Sequence, residues 1–134
     1  MKKLNQEEIK KIMPHRDDML LLDEAWEGGG SYTVKGDEFF LRGHFPNNPV
    51  VPGVILCEIM AQSICGTLSG ELKGKTPYFT GIDKVRIRGM VKPGDTFVTE
   101  VVVKTVKGPF VFIDAKGKVN DKLCISGELS FALQ

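Results

Sequence analysis

Apolar and polar residues alternate along four stretches in the second half of the chain: Tyr78–Arg88, Thr96–Val106, Phe110–Val119 and Leu123–Ala132. Successive side chains of a strand point to opposite faces, so this alternation predicts four strands, each with one buried face. Pro93-Gly94-Asp95 and Asn120-Asp121 are turn signals between them. The first half reads differently. Asn5 is placed to cap a short helix over Gln6–Met13, with Glu7 and Glu8 in its first turn and Lys10 and Lys11 near its end. Pro14 stops it. An apolar run over Met19–Trp26 and a looser alternation over Ser31–Leu41 predict two more strands, joined by a flexible turn at Gly28–Gly30.

From Gly53 to about Leu68 the period becomes helical, and Val54, Ile55, Leu56, Ile59, Met60, Ile64 and Leu68 cover nearly every face. A helix that is apolar all round is a buried one. An antiparallel sheet must bury one face, and this helix is the element long and apolar enough to fill it. The expected class is therefore α+β, one long helix against one antiparallel sheet. Such a helix has more apolar surface than one sheet face covers, which points to a second subunit over the remainder.

The length of 134 residues predicts one domain, residues 1–134, without repeats or linkers. A hydrophobic share of 42% excludes a disordered chain. The net charge of +1 gives no bulk attraction to nucleic acid or an anionic membrane. No stretch is long and apolar enough to span a bilayer, and no apolar segment follows Lys2 and Lys3 as a signal peptide would require, so the expected location is cytoplasmic. Cys57, Cys65 and Cys124 are odd in number, lack paired spacing and sit among apolar residues; they read as reduced, buried small hydrophobes rather than metal ligands.

Charge is unevenly spread. With 26% charged residues overall, a window of 28 residues should hold about seven, yet Gly43–Gly70 holds only Glu58. The same window contains His44, one of two histidines. Glu58 is the sole charge on the apolar helix, and a carboxyl in such surroundings suits general acid–base work. The alternative is a carboxylate facing solvent at an incompletely covered helix face. Gln62 lies one turn later on the same face, within hydrogen-bonding reach. His44 opens a loop, HFPNNPVVPG, that Pro46, Pro49 and Pro52 stiffen. The loop leads into the N-terminus of the helix that carries Glu58. There Gly53 and Val54 have amides without intrahelical acceptors, a setting that favours a developing oxyanion. Base, acid and oxyanion site together fit proton abstraction α to a carbonyl with loss or addition of a β hydroxyl. His15, beside Arg16, reads as structural. Asp17, Asp18, Asp23 and Glu24 read as a solvated acidic surface.

The stretch GHFPNNPVVPGVILCEIMAQ, Gly43–Gln62, closely resembles the signature GHFPxxPxxPGVLxxEAxAQ of 3-hydroxyacyl-[acyl-carrier-protein] dehydratases of the FabZ type. IMPHRDDMLLLD, GIDKVRIRGMVKPGD and the closing SGELSFAL resemble other segments of that family in the same order. The resemblance implies the hotdog fold, a long central helix wrapped by a curved antiparallel sheet. It implies a homodimer with two active sites at its interface, in some members a trimer of dimers. The catalytic pair implied is His44 and Glu58, meeting across that interface, with Gly53 N–H holding the thioester carbonyl. The reaction implied is loss of water from a (3R)-hydroxyacyl thioester, carried on acyl carrier protein, to give the trans-2-enoyl thioester without metal or cofactor. Glu58 stands where isomerising relatives usually carry aspartate. Asp17, Asp18 and Met19 replace a frequent Tyr-Pro-Phe, and Arg88, Gly89 and Met90 replace a frequent Arg-Pro-Val, both near the expected substrate entrance.

Acyl carrier proteins are acidic. Lys84, Arg86 and Arg88 alternate with Val85 and Ile87, which predicts three cations on one strand face, with Lys92 nearby, as a docking stripe. The competing functions are a hotdog acyl-thioesterase and a catalytically silent acyl-binding module.

Overall fold

The computed structural model describes residues 2–134. Helix α1 (Gln6–Lys10) opens on a capping box: Asn5 Oδ1 accepts from Glu8 N–H while Glu8 Oε1 accepts from Asn5 N–H, each at 3.0 Å. Strands β1 (Glu24–Trp26) and β2 (Gly29–Thr33) follow, then helices α2 (Gly53–Gln62) and α3 (Ser69–Leu72). Strands β3 (Pro77–Ile87), β4 (Thr96–Lys107), β5 (Phe110–Val119) and β6 (Lys122–Leu133) complete the chain. The six strands form one antiparallel sheet in the order β1-β2-β4-β5-β6-β3.

Helix α2 lies against β2, β4 and β5. Its buried Leu56, Cys57, Ile59 and Met60 meet the inward residues of the sheet, among them Phe97, Val101, Val111, Ile113, Ala115, Leu129 and Phe131. Phe97 lies over Gly117: a Cβ at Gly117 would fall 2.0 Å from Phe97 Cζ. The absence of a side chain there is what seats the ring.

The long strands sit where alternation placed them, and β5 has the expected bounds. The first half departs from expectation. Met19–Trp26 is a strand only over Glu24–Trp26, because Asp17–Met19 form a 3₁₀ turn and the Leu21 N–H is taken by the Gln62 side chain rather than a neighbouring strand. Ser31–Leu41 is a strand only to Thr33; the Glu38 carboxylate accepts from Lys35 N–H and Gly36 N–H and folds the chain into a turn. Of Gly28–Gly30, only Gly28 sits in the turn with positive φ (92°). Gly29 is in β2, where a Cβ would meet Thr99 O at 2.2 Å.

The long helix is shorter than its periodicity. It stays α to Gln62 and continues as 3₁₀ over Ser63–Gly66. Ser63 Oγ donates to Ile59 O at 2.7 Å, a back-bond that bends helices. Gly66 abuts Trp26, whose carbonyl oxygen a Cβ would approach to 2.2 Å. The chain tightens to fit against β1. The helix is also not covered all round: Val54, Ile55, Glu58 and Ala61 form a stripe that its own sheet leaves open, with Val54 at 72% exposure.

Candidate active site

Glu58 projects from the open stripe of α2 into a cavity lined by Met13, His15, Ala61, Gln62, Pro77, Phe79 and Phe131. Its side chain is about one-fifth exposed (20%), so it is neither solvated nor sealed in the core. Gln62 holds it. The Gln62 oxygen accepts from Leu21 N–H at 2.9 Å, which fixes the orientation of the amide. The Gln62 Nε2 group then donates to Met19 O and to Glu58 Oε2, both at 2.8 Å. Both amide protons are spent, and Gln62 is 1% exposed. Gln62, one turn on from Glu58, makes the hydrogen bond to it that the helical spacing allows.

A residue read as structural lies on the other side of the carboxyl. His15 Nε2 is 3.3 Å from Glu58 Oε2. Arg16 fixes this segment by donating to Lys10 O, Met13 O and His15 O. His15 is 43 residues from Glu58, and no local pattern joins them; the one signal was that His15 falls in IMPHRDDMLLLD, a segment of the family resemblance.

His44 is half-buried at the start of the proline loop. The loop folds back on it: Val50 N–H donates to His44 O at 3.0 Å, and His44 Nδ1 lies 3.0 Å from Val50 O. A carbonyl oxygen can only accept, so Nδ1 carries the proton and neutral His44 presents a bare Nε2, the form of a base. The ring stacks on Phe45 with centroids 4.4 Å apart. Val51 N–H donates to Val91 O at 2.8 Å and pins the loop to the sheet side. No hydrogen bond or ion pair joins His44 to Glu58 among the described residues, and His44 does not line the Glu58 cavity.

Gly53 and Val54 begin α2, and their N–H groups have no acceptor among the described residues. A Cβ at Gly53 would meet Ile87 Cδ1 at 2.5 Å. Helix start and β3 therefore approach closely at the mouth of the site.

The expected cationic stripe is broken. Between Asp83 and Arg86, β3 carries one residue more than β6, a bulge in which Lys84 has φ 52°. The extra residue shifts the alternation, so Lys84 and Arg86 do not follow the simple register that predicted a common face. Lys84 Nζ instead pairs with Glu128 at 3.6 Å, and Arg88 lies past the end of β3. All three remain exposed.

The site and the fold can be set against known proteins. The model of the family described as "FabA-like domain" matches residues 13–128. This chain belongs to the FabA-like family. It is 43% identical to a 3-hydroxyacyl-[acyl-carrier-protein] dehydratase FabZ of Caldicellulosiruptor bescii, over 97% of this chain and 99% of that one. It is 45% identical to the FabZ dehydratase of Macrococcus caseolyticus, over 97% and 95%. Among solved structures, the dehydratase heterocomplex ApeI:P from Xenorhabdus doucetiae superposes with a TM-score of 0.77 at 19% identity, covering 94% of this chain and 90% of that one. The fluoroacetyl-CoA thioesterase FlK superposes with a TM-score of 0.67 at 16% identity, over 81% of this chain and 87% of that one. At such identities these structures speak for the fold alone: one helix against a six-stranded antiparallel sheet, the hotdog arrangement.

Proposed function

We propose that this protein is a 3-hydroxyacyl-[acyl-carrier-protein] dehydratase of fatty-acid biosynthesis, converting a (3R)-hydroxyacyl thioester to the trans-2-enoyl thioester. The observation that carries this reading is Glu58, held by Gln62 in a partly apolar cavity of a FabA-like chain. His44 Nε2 removes a proton from C2. The electron pair moves through an enolate-like thioester, whose oxygen receives the Gly53 N–H, with Val54 N–H adjacent. As the C2–C3 double bond forms, the C3–O bond breaks, and Glu58 gives its proton to the departing hydroxyl as water. No redox step arises, and this reading needs no metal or cofactor.

The active site is completed in a homodimer, with His44 of one subunit meeting Glu58 of the other. Three features support this. Among the described residues, His44 does not line the cavity that holds Glu58. The stripe Val54, Ile55, Glu58 and Ala61 stands uncovered. The edge strand β3 exposes Phe79, Ile82 and Ile87. The acyl chain arrives on the phosphopantetheine arm of acyl carrier protein, whose acidic surface meets Arg86 and Arg88, with Lys84 at the margin. No helix among the described residues is long and apolar enough to cross a membrane.

The deciding experiment incubates the protein with a 3-hydroxyacyl thioester and follows enoyl absorbance and free thiol together. Enoyl product without thiol is expected. Thiol release would replace this reading with a thioesterase, and neither product would leave an acyl-binding module.

A further inference from the structure

The Glu58 carboxyl is approached from two sides, and both approaches reach the same oxygen. Gln62 Nε2 donates to Oε2 at 2.8 Å, and His15 Nε2 lies 3.3 Å from Oε2. Oε1 has no partner among the described residues and is not sealed from the cavity. Among the described residues, His15 and Glu58 are the only ionisable groups lining that cavity.

The far side of the imidazole limits its states. His15 Nδ1 is buried and has no hydrogen-bond partner among the described residues. A proton on Nδ1 would bury an unpaired N–H, and in the cation an unpaired charged donor, which is more costly than a bare ring nitrogen. With Nδ1 bare, neutral His15 carries its proton on Nε2, the ring nitrogen that lies 3.3 Å from Glu58 Oε2. Arg16 anchors the backbone of this segment through three carbonyls, His15 O included.

We propose that His15 is a positioning residue for Glu58: its Nε2–H and the Gln62 amide together claim Oε2, so the transferable proton of the carboxyl resides on Oε1, the oxygen open to substrate. The inference rests on the dehydratase reading for its consequence and on geometry for its premise. An acid whose proton sat on Oε2 would point it at two donors. Removing the histidine donor frees the carboxyl to place its proton on either oxygen and lowers the population aimed at the leaving hydroxyl.

The experiment has two arms. His15→Phe keeps a ring without a donor, and His15→Gln restores an amide donor near the Nε2 position. The expected result is a fall in kcat of roughly 10- to 100-fold in His15→Phe, with KM nearly unchanged, and substantial recovery in His15→Gln. Equal activity of the two variants overturns the proposal. The second arm is nitrogen NMR of the unsubstituted protein at neutral pH. It should show the Nε2–H tautomer of His15, displaced in shift by Glu58→Gln. An Nδ1–H tautomer, or an imidazolium, overturns the proposal whether or not His15→Phe folds. If the unsubstituted protein forms no enoyl product, the dehydratase reading fails, while the NMR arm still decides the state of His15.

Discussion

Gln62 and Glu58 stand one helical turn apart, and the 2.8 Å hydrogen bond between them continues to the backbone of a distant segment through Leu21 N–H and Met19 O. The acid is thus tied to the chain that forms one wall of its surroundings. Gln62→Met should leave Leu21 N–H and Met19 O without these partners. It should lower the free energy of unfolding by about 2–4 kcal/mol, since a buried donor left unmade costs roughly 1–3 kcal/mol. Activity should fall with it. Urea denaturation at unchanged m-value checks the first part, and an unaltered midpoint would contradict the hydrogen-bond assignment.

His44→Ala and Glu58→Gln should each reduce turnover by roughly 10²- to 10⁴-fold, the usual worth of a general acid or base. Neither contact holds the core together, so thermal midpoints should stay close to that of the unsubstituted protein. Mixing the two inactive variants under conditions of subunit exchange should restore activity. No recovery after verified exchange would place both groups in one subunit.

Phe97 and Gly117 make a purely structural pair. Gly117→Ala forces the buried Phe97 ring out of place and should destabilise by roughly 1–3 kcal/mol, the range for overpacking a core. Combining it with Phe97→Leu should cost less than the two changes added, because the second relieves the clash of the first. Additive losses in a double-mutant cycle would show that the ring is not the obstacle.

Glu38 gives a pH signature. Burial works to raise its carboxyl, but the Lys35 N–H, the Tyr32 hydroxyl and the Gly36 N–H outweigh it and hold the group below its ordinary value of 4.5. A lowered folded-state pKa contributes stability above the unfolded value, and that contribution is lost as pH falls through the folded value. Glu38→Gln should therefore be less stable than the unsubstituted protein at pH 7, with the gap narrowing below about pH 4.5. Chemical denaturation across that range tests it. A gap that widens in acid would reverse the assignment.

The parts of the fold visible in the sequence are those whose cause is local. Strands β4 and β5 announce themselves by alternation, because over most of their length one face is in the core and one in water. Asn5 and Glu8 announce a helix start because their bonds close within four residues. Met19–Glu24 misled because three consecutive buried leucines, Leu20, Leu21 and Leu22, look like a strand whatever backbone carries them. The helix end misled because Gly66 stops against Trp26, a contact between distant segments. The site divides the same way. His44, Gly53, Glu58 and Gln62 lie within twenty residues and stood out by sparse charge and spacing. His15 reaches Glu58 through tertiary folding alone, and the Lys84 bulge inserts a residue that no alternation reveals.

The three cysteines are all buried, and burial pushes the Cys65 thiol up to about 12 and raises Cys57 as well. Thiolates are the reactive form, so the folded protein offers almost nothing for an alkylating dye to attack. A cysteine introduced at an exposed position away from the proposed docking residues, such as Lys107, would be the sole fast-reacting handle, with no native thiol needing removal. Subunit exchange and carrier docking can then be watched by fluorescence on an otherwise unaltered chain.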